Sequence, residues 1–85
     1  MTTYLLEDKE ESSSHIYLTI SGPKKESFIG IDKSTGELQV ICKNAAHSVF
    51  RGVGKFFSDF EEAENNYKSS EMKGILQAAR LYLTV

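Results

Sequence analysis

The sequence has few of the residues that cross-link small secreted domains or anchor them in membranes. It contains one cysteine, one proline and no tryptophan in 85 residues. A single cysteine excludes an intrachain disulfide, and because small secreted domains commonly depend on such bridges, we expect a cytoplasmic location. No apolar run approaches the roughly 20 residues that span a bilayer. No basic segment followed by an apolar run indicates a secretory signal, so no membrane association is expected.

The chain also lacks the clusters that metal and catalytic sites require. Its only soft or borderline ligands are His15, Cys42 and His47, and none has the spacing of a zinc site, so we predict no metal and no cofactor. Cys42 follows Leu38 and Val40 in strand alternation, which favours a core thiol over a nucleophile. The acidic clusters fall where burial would not raise a carboxyl pKa for general-acid work. The sequence therefore predicts a protein that is not an enzyme.

The composition is that of one small globular domain. Apolar residues make up 40% of the chain and charged residues 26%, which is ordinary for a folded protein. The net charge of −2 argues against a dedicated nucleic-acid binder, because such proteins usually carry a basic excess. We predict a single α+β domain over residues 1–85, in which the polar stretch 7–14 is a mobile acidic loop.

Strand patterns occupy the first two thirds of the chain. Residues 15–20 alternate between apolar and polar, and residues 2–6 favour a short edge strand. Residues 27–31 and 37–43 flank a turn that contains Asp32 and Gly36, which predicts a β-hairpin. A last strand is predicted over 48–57.

Two helices are predicted to follow. Ser58 and Glu61 match a capping box for a short first helix. Ser69 or Ser70 can cap the second helix. The second helix has a strong apolar stripe at helical spacing, formed by Met72, Ile75, Leu76, Ala79, Tyr82 and Leu83. Gly74 inside this helix predicts a close contact with the sheet or with Phe57.

Together these elements predict a small, mostly antiparallel sheet of three to five strands covered on one face by the two C-terminal helices. The opposite face would stay open, and the residues expected to face a partner there are Tyr17, Thr19, Gln39 and Ile41. A half-covered sheet is a natural place for a protein partner or a second copy of the chain. Our first hypothesis is therefore a non-catalytic protein-interaction module that acts through the open face or an exposed edge strand.

A basic, glycine-containing segment supports an alternative function. It fits neither the Walker A nor the dinucleotide-binding pattern, but backbone amides near two glycines can form an anion-binding nest. The alternative is weak binding of nucleic acid or a phosphoryl ligand through residues of the segment 43–55, namely Lys43, His47, Arg51, Gly52, Gly54 and Lys55. The same segment could instead be only a structural bend with solvated cations.

Overall fold

The computed structural model describes residues 4–44 and 54–83 of the chain. Within those ranges there are five strands and two helices: β1 (Leu5–Glu11), β2 (His15–Ser21), β3 (Lys25–Asp32), β4 (Leu38–Asn44), β5 (Lys55–Phe57), α1 (Phe60–Asn66) and α2 (Ser70–Leu83). The strands form a meander in the order β1-β2-β3-β4-β5, and every neighbouring pair is antiparallel. The predicted α+β fold, a sheet followed by two C-terminal helices, is confirmed.

The β3–β4 hairpin closes through the turn chemistry that the sequence predicts. Gly36 has a φ of 79°, a conformation that glycine adopts without steric cost. One carboxylate oxygen of Asp32 accepts from the backbone N–H of Ser34 at 2.8 Å and from that of Thr35 at 3.3 Å. The Ser34 hydroxyl and then its N–H lower the pKa of Asp32, because these bonds favour the charged carboxylate.

The first strand is longer than predicted. The stretch 7–14, which we expected to be a loop, begins inside β1, and only residues 12–14 connect β1 to β2. β1 lies at the edge of the sheet, and its side chains are almost all exposed. Because few of them are buried, the sequence of β1 lacks the apolar alternation that would have predicted a strand. Charged side chains on an edge strand also discourage pairing with other chains.

A β-bulge at Glu7 decides which side chains of β1 face the helices. The pairing with β2 shifts between Leu6 and Asp8. The one extra residue there moves the side chains that follow it to the opposite face of the sheet. Leu6 packs against the core, and beyond the bulge Lys9 lies on the helix side instead of Asp8. The Lys9 Nζ donates to the carbonyl oxygen of Tyr82 at 3.3 Å, where a cation complements the C-terminal end of α2.

The core lies between α2 and one face of the sheet. The predicted stripe of α2 supplies buried side chains, which are Met72, Ile75, Leu76 and Ala79. The sheet supplies the buried side chains of Leu18, Ile20, Ile29, Ile31, Leu38, Val40 and Phe57, and α1 supplies Ala63. Each large aliphatic side chain buried here contributes about 1.5–3 kcal/mol. The predicted packing of the second helix on the sheet is thus confirmed.

Helix α1 begins one residue later than predicted. Its N-cap is Asp59, whose carboxylate accepts from the backbone N–H of Glu62 at 2.8 Å. The second bond is made by Glu62 instead of Glu61, and its carboxylate accepts from the backbone N–H of Ser58 at 2.6 Å. The sequence alone does not choose, because serine and aspartate are equally good N-caps and both are followed three residues later by glutamate. With Asp59 as the cap, the hydroxyl of Ser58 also donates to Glu62.

These bonds predict an acid-sensitive cap at α1. The hydroxyl and N–H of Ser58 lower the pKa of Glu62 below its ordinary value near 4.5, so the carboxylate stabilises the fold above that pH. The stabilisation is lost as the pH falls through the lower pKa of the folded state. Glu62→Gln is expected to lower the melting temperature at neutral pH and to weaken its fall in acid. Glu61→Gln is the matched control, and an equal effect of both substitutions on melting curves recorded across acid pH would contradict this assignment.

The close contact predicted at Gly74 is formed with Tyr4 instead of with the sheet or Phe57. A Cβ atom at Gly74 would overlap the outer end of the Tyr4 ring. Tyr4 precedes β1, and its carbonyl oxygen accepts from the hydroxyl of Tyr82 at 3.1 Å. The glycine therefore allows the start of the described chain to pack directly on the backbone of α2.

Gly74→Ala is expected to destabilise the fold by about 1–3 kcal/mol, because the added methyl overlaps the ring of Tyr4. The same substitution in a Tyr4→Ala background is expected to be neutral or to stabilise by up to about 1 kcal/mol, since alanine has the higher helix propensity. Denaturant unfolding of the four proteins in this cycle measures both effects. If Gly74→Ala costs the same in the two backgrounds, Tyr4 is not the reason for the glycine.

Candidate functional site

The face of the sheet turned away from the helices is the candidate functional site, and we call it the outer face. Residues directly opposite each other on antiparallel strands share a face. By that register the outer face carries His15, Tyr17, Thr19, Phe28, Gly30, Gln39, Ile41 and Phe56. The four residues expected to face a partner, Tyr17, Thr19, Gln39 and Ile41, all lie here and are half-buried by their neighbours.

Three rings stack along the outer face. The centroids of His15 and Tyr17 are 5.7 Å apart with an interplanar angle of 9°, and those of Tyr17 and Phe28 are 5.6 Å apart at 18°. Gly30 lies opposite Tyr17, and a Cβ at Gly30 would be 3.2 Å from two ring carbons of the tyrosine. The Tyr17 ring thus rests on the glycine backbone, an arrangement that compensates for the weakness of glycine in a strand.

Phe56 is the most exposed aromatic side chain of this face. It lies on β5 opposite Gln39 and is 60% exposed. Gly54, two residues before Phe56, lies close to β4. A Cβ atom on Gly54 would be 2.7 Å from the side chain of Ile41 and 2.9 Å from that of Gln39. Gly54, which the sequence assigned to an anion site, therefore has a packing role at the outer face.

Carboxylates surround this aromatic centre. The outer face has five acidic residues. Strand register places Asp8, Glu10, Glu26 and Asp32 there, and Glu37 lines a small depression on the same face. Lys43 lies on β4 opposite Glu26. The described outer face is thus apolar and aromatic at its centre, with five carboxylates and one lysine around it. This excess of negative charge disfavours the phosphates of a nucleic acid.

A small depression lies beside Tyr17 on the outer face. It has a volume of about 80 Å³ and is lined by His15, Tyr17, Gly30, Asp32, Glu37, Leu38, Gln39 and Phe56. Sites for whole small molecules usually measure about 300–1,000 Å³. The depression can therefore accept the end of one side chain but not a typical metabolite.

Lys55 lies on the opposite side of the sheet from Phe56. It pairs with Val40 on the helix-covered face, and its Nζ is 5.4 Å from the centroid of the Tyr67 ring, within cation–π range. Lys55 and Lys25 both line a cleft of about 280 Å³. Lys55 therefore does not share a surface with the exposed Phe56, whereas Lys43 lies by register on the outer face with it. The predicted anion-site residues His47, Arg51 and Gly52 lie outside the described residues.

Cys42 lies in the same cleft and is half-buried. Its Sγ is 3.6 Å from the Sδ of Met72 and 3.6 Å from the hydroxyl of Ser27. The pKa of the Tyr67 hydroxyl is raised, mainly by burial and to a smaller extent by the neighbouring Cys42. His15 is on the outer face, so the sheet separates this imidazole from the thiol and the two do not form a nucleophile–base pair.

The perturbed carboxyl groups are held in their charged form. The pKa of Glu11 is lowered by the hydrogen bond and charge of Lys33, and those of Asp32 and Glu62 are lowered by serine donors. General acids need the opposite shift. Within residues 4–44 and 54–83, no group of three or more histidine, cysteine or acidic side chains is placed to hold a metal ion. The described helices include none that is long and apolar enough to cross a bilayer.

Comparisons of the chain with protein-family models, curated proteins and solved structures find no significant match. The outer face is therefore interpreted from its geometry and chemistry. Sequence reasoning overlooked His15, Phe28 and Phe56 as members of this face. The period of two in β3 could have found Phe28, because Ser27 and Ile29 on either side of it point into the core.

Gly30→Ala is expected to displace the Tyr17 ring, because the new methyl would press against two of its carbons at 3.2 Å. The loss of stacking should move the ring proton resonances of His15 and Phe28, and overpacking should cost about 1 kcal/mol. Nuclear magnetic resonance spectra of the aromatic protons test this. Gly54→Ala, which crowds Ile41 and Gln39 instead, is the control, and unchanged His15 and Phe28 resonances in Gly30→Ala would contradict the prediction.

Proposed function

We propose that this protein is a non-catalytic interaction module that binds a protein partner through its outer face. The observation that carries the proposal is a stacked aromatic row beside the 60% exposed Phe56, surrounded by carboxylates. Aromatic anchors inside a polar rim are the usual anatomy of protein interfaces. Among the described elements, both helices pack on the other face, so this one is left for a partner.

The outer face is a better candidate than an edge strand. The edge strand β1 is almost wholly exposed, rich in charge and interrupted by a bulge at Glu7. These are the features by which proteins prevent strand addition at an edge. The exposed strand edge that we considered from the sequence is therefore poorly suited for docking at β1.

A different protein is a better occupant than a second copy of the chain. A symmetric dimer places the same patch of both subunits face to face. Here that would bring acidic rims together, including Asp8, Glu10 and Asp32 of both copies, and like charges across an interface are costly. The rim favours a partner that is basic where it meets this face.

The helix-covered side supports a second candidate function, weak binding of a phosphorylated ligand or nucleic acid. Lys25 and Lys55 line one cleft, and Lys55 belongs to the basic segment that prompted this alternative. Paired ammonium groups can hold a phosphate as point charges. This candidate is independent of the outer face, because the two sites lie on opposite sides of the sheet.

Binding measurements with one variant on the outer face test the first proposal. A partner captured from the source cells is purified and titrated against the wild-type protein, Phe56→Asp and Leu81→Asp. Phe56→Asp is expected to weaken binding by tenfold or more, about 1.4 kcal/mol or above. Leu81→Asp is the matched control, because Leu81 lies on α2 and is 68% exposed; its effect should be below about twofold.

Equal losses in the two variants, or a loss confined to Leu81→Asp, would contradict binding through the outer face. An oligonucleotide titration across salt concentrations tests the second candidate. Binding that falls steeply with salt and disappears in Lys25→Glu with Lys55→Glu would support it. Binding that survives both substitutions would exclude that cleft.

A further inference from the structure

The depression on the outer face has a defined construction. Across the strands the register runs from Tyr17 on β2 through Gly30 and Gln39 to Phe56 on β5. The Tyr17 ring covers part of the space above Gly30, and the gap that remains lies between this ring and Phe56. Asp32 and Glu37 line the same gap, so carboxylates stand beside two aromatic side chains.

Asp32 presents its two oxygens differently. Oδ1 accepts from the N–H and hydroxyl of Ser34 at 2.8 and 2.7 Å, which fixes the position of the carboxylate. Oδ2 lies 3.8 Å from the Nε2 of His15, beyond hydrogen-bond distance. The turn thus holds an ionised carboxylate at the depression with one oxygen outside the turn's hydrogen bonds.

Aromatic rings next to fixed carboxylates are the chemistry that recognises a cation. Of the cations that proteins carry, guanidinium fits best, because it is planar, stacks on rings and donates in a fork to carboxylate oxygens. The ring of Phe56, which is 60% exposed and lines the depression, is the aromatic surface on which such a group can stack. The volume of about 80 Å³ limits the occupant to the end of one side chain.

We infer that the Gly30 depression, bounded by Tyr17, Asp32, Glu37 and Phe56, is the docking point for an arginine side chain of the protein partner. The inference rests on the proposed function and adds the chemistry of the partner. The carboxylates farther along the face, Asp8 and Glu10 on β1, extend the negative field and attract a basic surface around that arginine.

A small-molecule probe tests the inference without the partner. The isotope-labelled protein is titrated with N-acetyl-arginine amide while resonances of the whole protein are followed. N-acetyl-citrulline amide, of nearly the same shape but uncharged, and N-acetyl-lysine amide are the comparison probes. The expected result is a saturable shift confined to the rings of His15, Tyr17 and Phe56 and to the backbone of Gly30 with the arginine probe. The lysine probe should bind more weakly, and the citrulline probe should produce no saturable shift.

Carboxamide variants make the test specific. The double variant Asp32→Asn with Glu37→Gln should weaken arginine binding by at least roughly threefold to fivefold. The turn should stay intact, because the amide oxygen that Asp32→Asn introduces can still accept from Ser34. Glu61→Gln, an exposed carboxylate on α1, is the control and should change nothing. Three outcomes would overturn the inference: no saturable shift at these rings, equal binding of citrulline or lysine, or full binding by the double variant.

The two proposals fail in different experiments. If Phe56→Asp abolishes binding of the purified partner while Asp32→Asn with Glu37→Gln leaves it unchanged, the interaction face stands and the arginine site is excluded. If both variants bind the partner as the wild type does, the proposed function itself is excluded. If both lose binding and replacement of one partner arginine by lysine reproduces the loss, the arginine inference is supported.

Discussion

Burial of α2 against one face of the sheet is the constraint on which the other features depend. Its apolar stripe fills the core, and contacts at both ends hold it in place. Near its start, the Glu71 carboxylate accepts from the backbone N–H groups of Lys24 and Lys25 at 2.7 Å each. Near its end, the Tyr82 hydroxyl and carbonyl oxygen bond to Tyr4 and Lys9. Because α2 and α1 both pack on the inner face, neither helix covers the outer face within the described chain.

Glycines make this arrangement possible on both sides of the sheet. Gly74 lets Tyr4 approach the helix backbone, and a Cβ at Gly22 would be 2.7 Å from the carboxylate of Glu71, so both glycines help to seat α2. Gly30 and Gly54 act on the outer face, where they make room for Tyr17 and for the side chains of β4. A single property, the absence of a Cβ, thus fixes the helix on one face and shapes the aromatic surface on the other.

The elements whose side chains alternate between core and solvent could be predicted from the sequence, and those that depend on neighbours could not. The alternation of β2 and the stripe of α2 reflect burial that packing enforces, so the fold class followed from them. The edge strand was predicted over residues 2–6, but its continuation through Glu11 was taken for a loop because an exposed edge strand needs no alternation. The start of α1 was misplaced by one residue because Ser58 and Asp59 cap equally well. The candidate site was found in part: Tyr17 and Ile41 follow from alternation, whereas the depression exists only because Gly30 meets Tyr17 across two strands.

The two faces of the sheet differ in charge, and this difference separates the functional hypotheses. Acidic side chains surround the outer face, whereas Lys25 and Lys55 line the cleft on the helix side. A chain of this length supports one compact core and little interior volume beyond it, so both hypotheses place binding at a surface instead of in a deep cavity. The first hypothesis places a basic protein segment on one surface, and the second places a phosphate on the other. Since the sheet stands between the two surfaces, a substitution on one of them leaves the chemistry of the other intact, and each hypothesis can be tested on its own face.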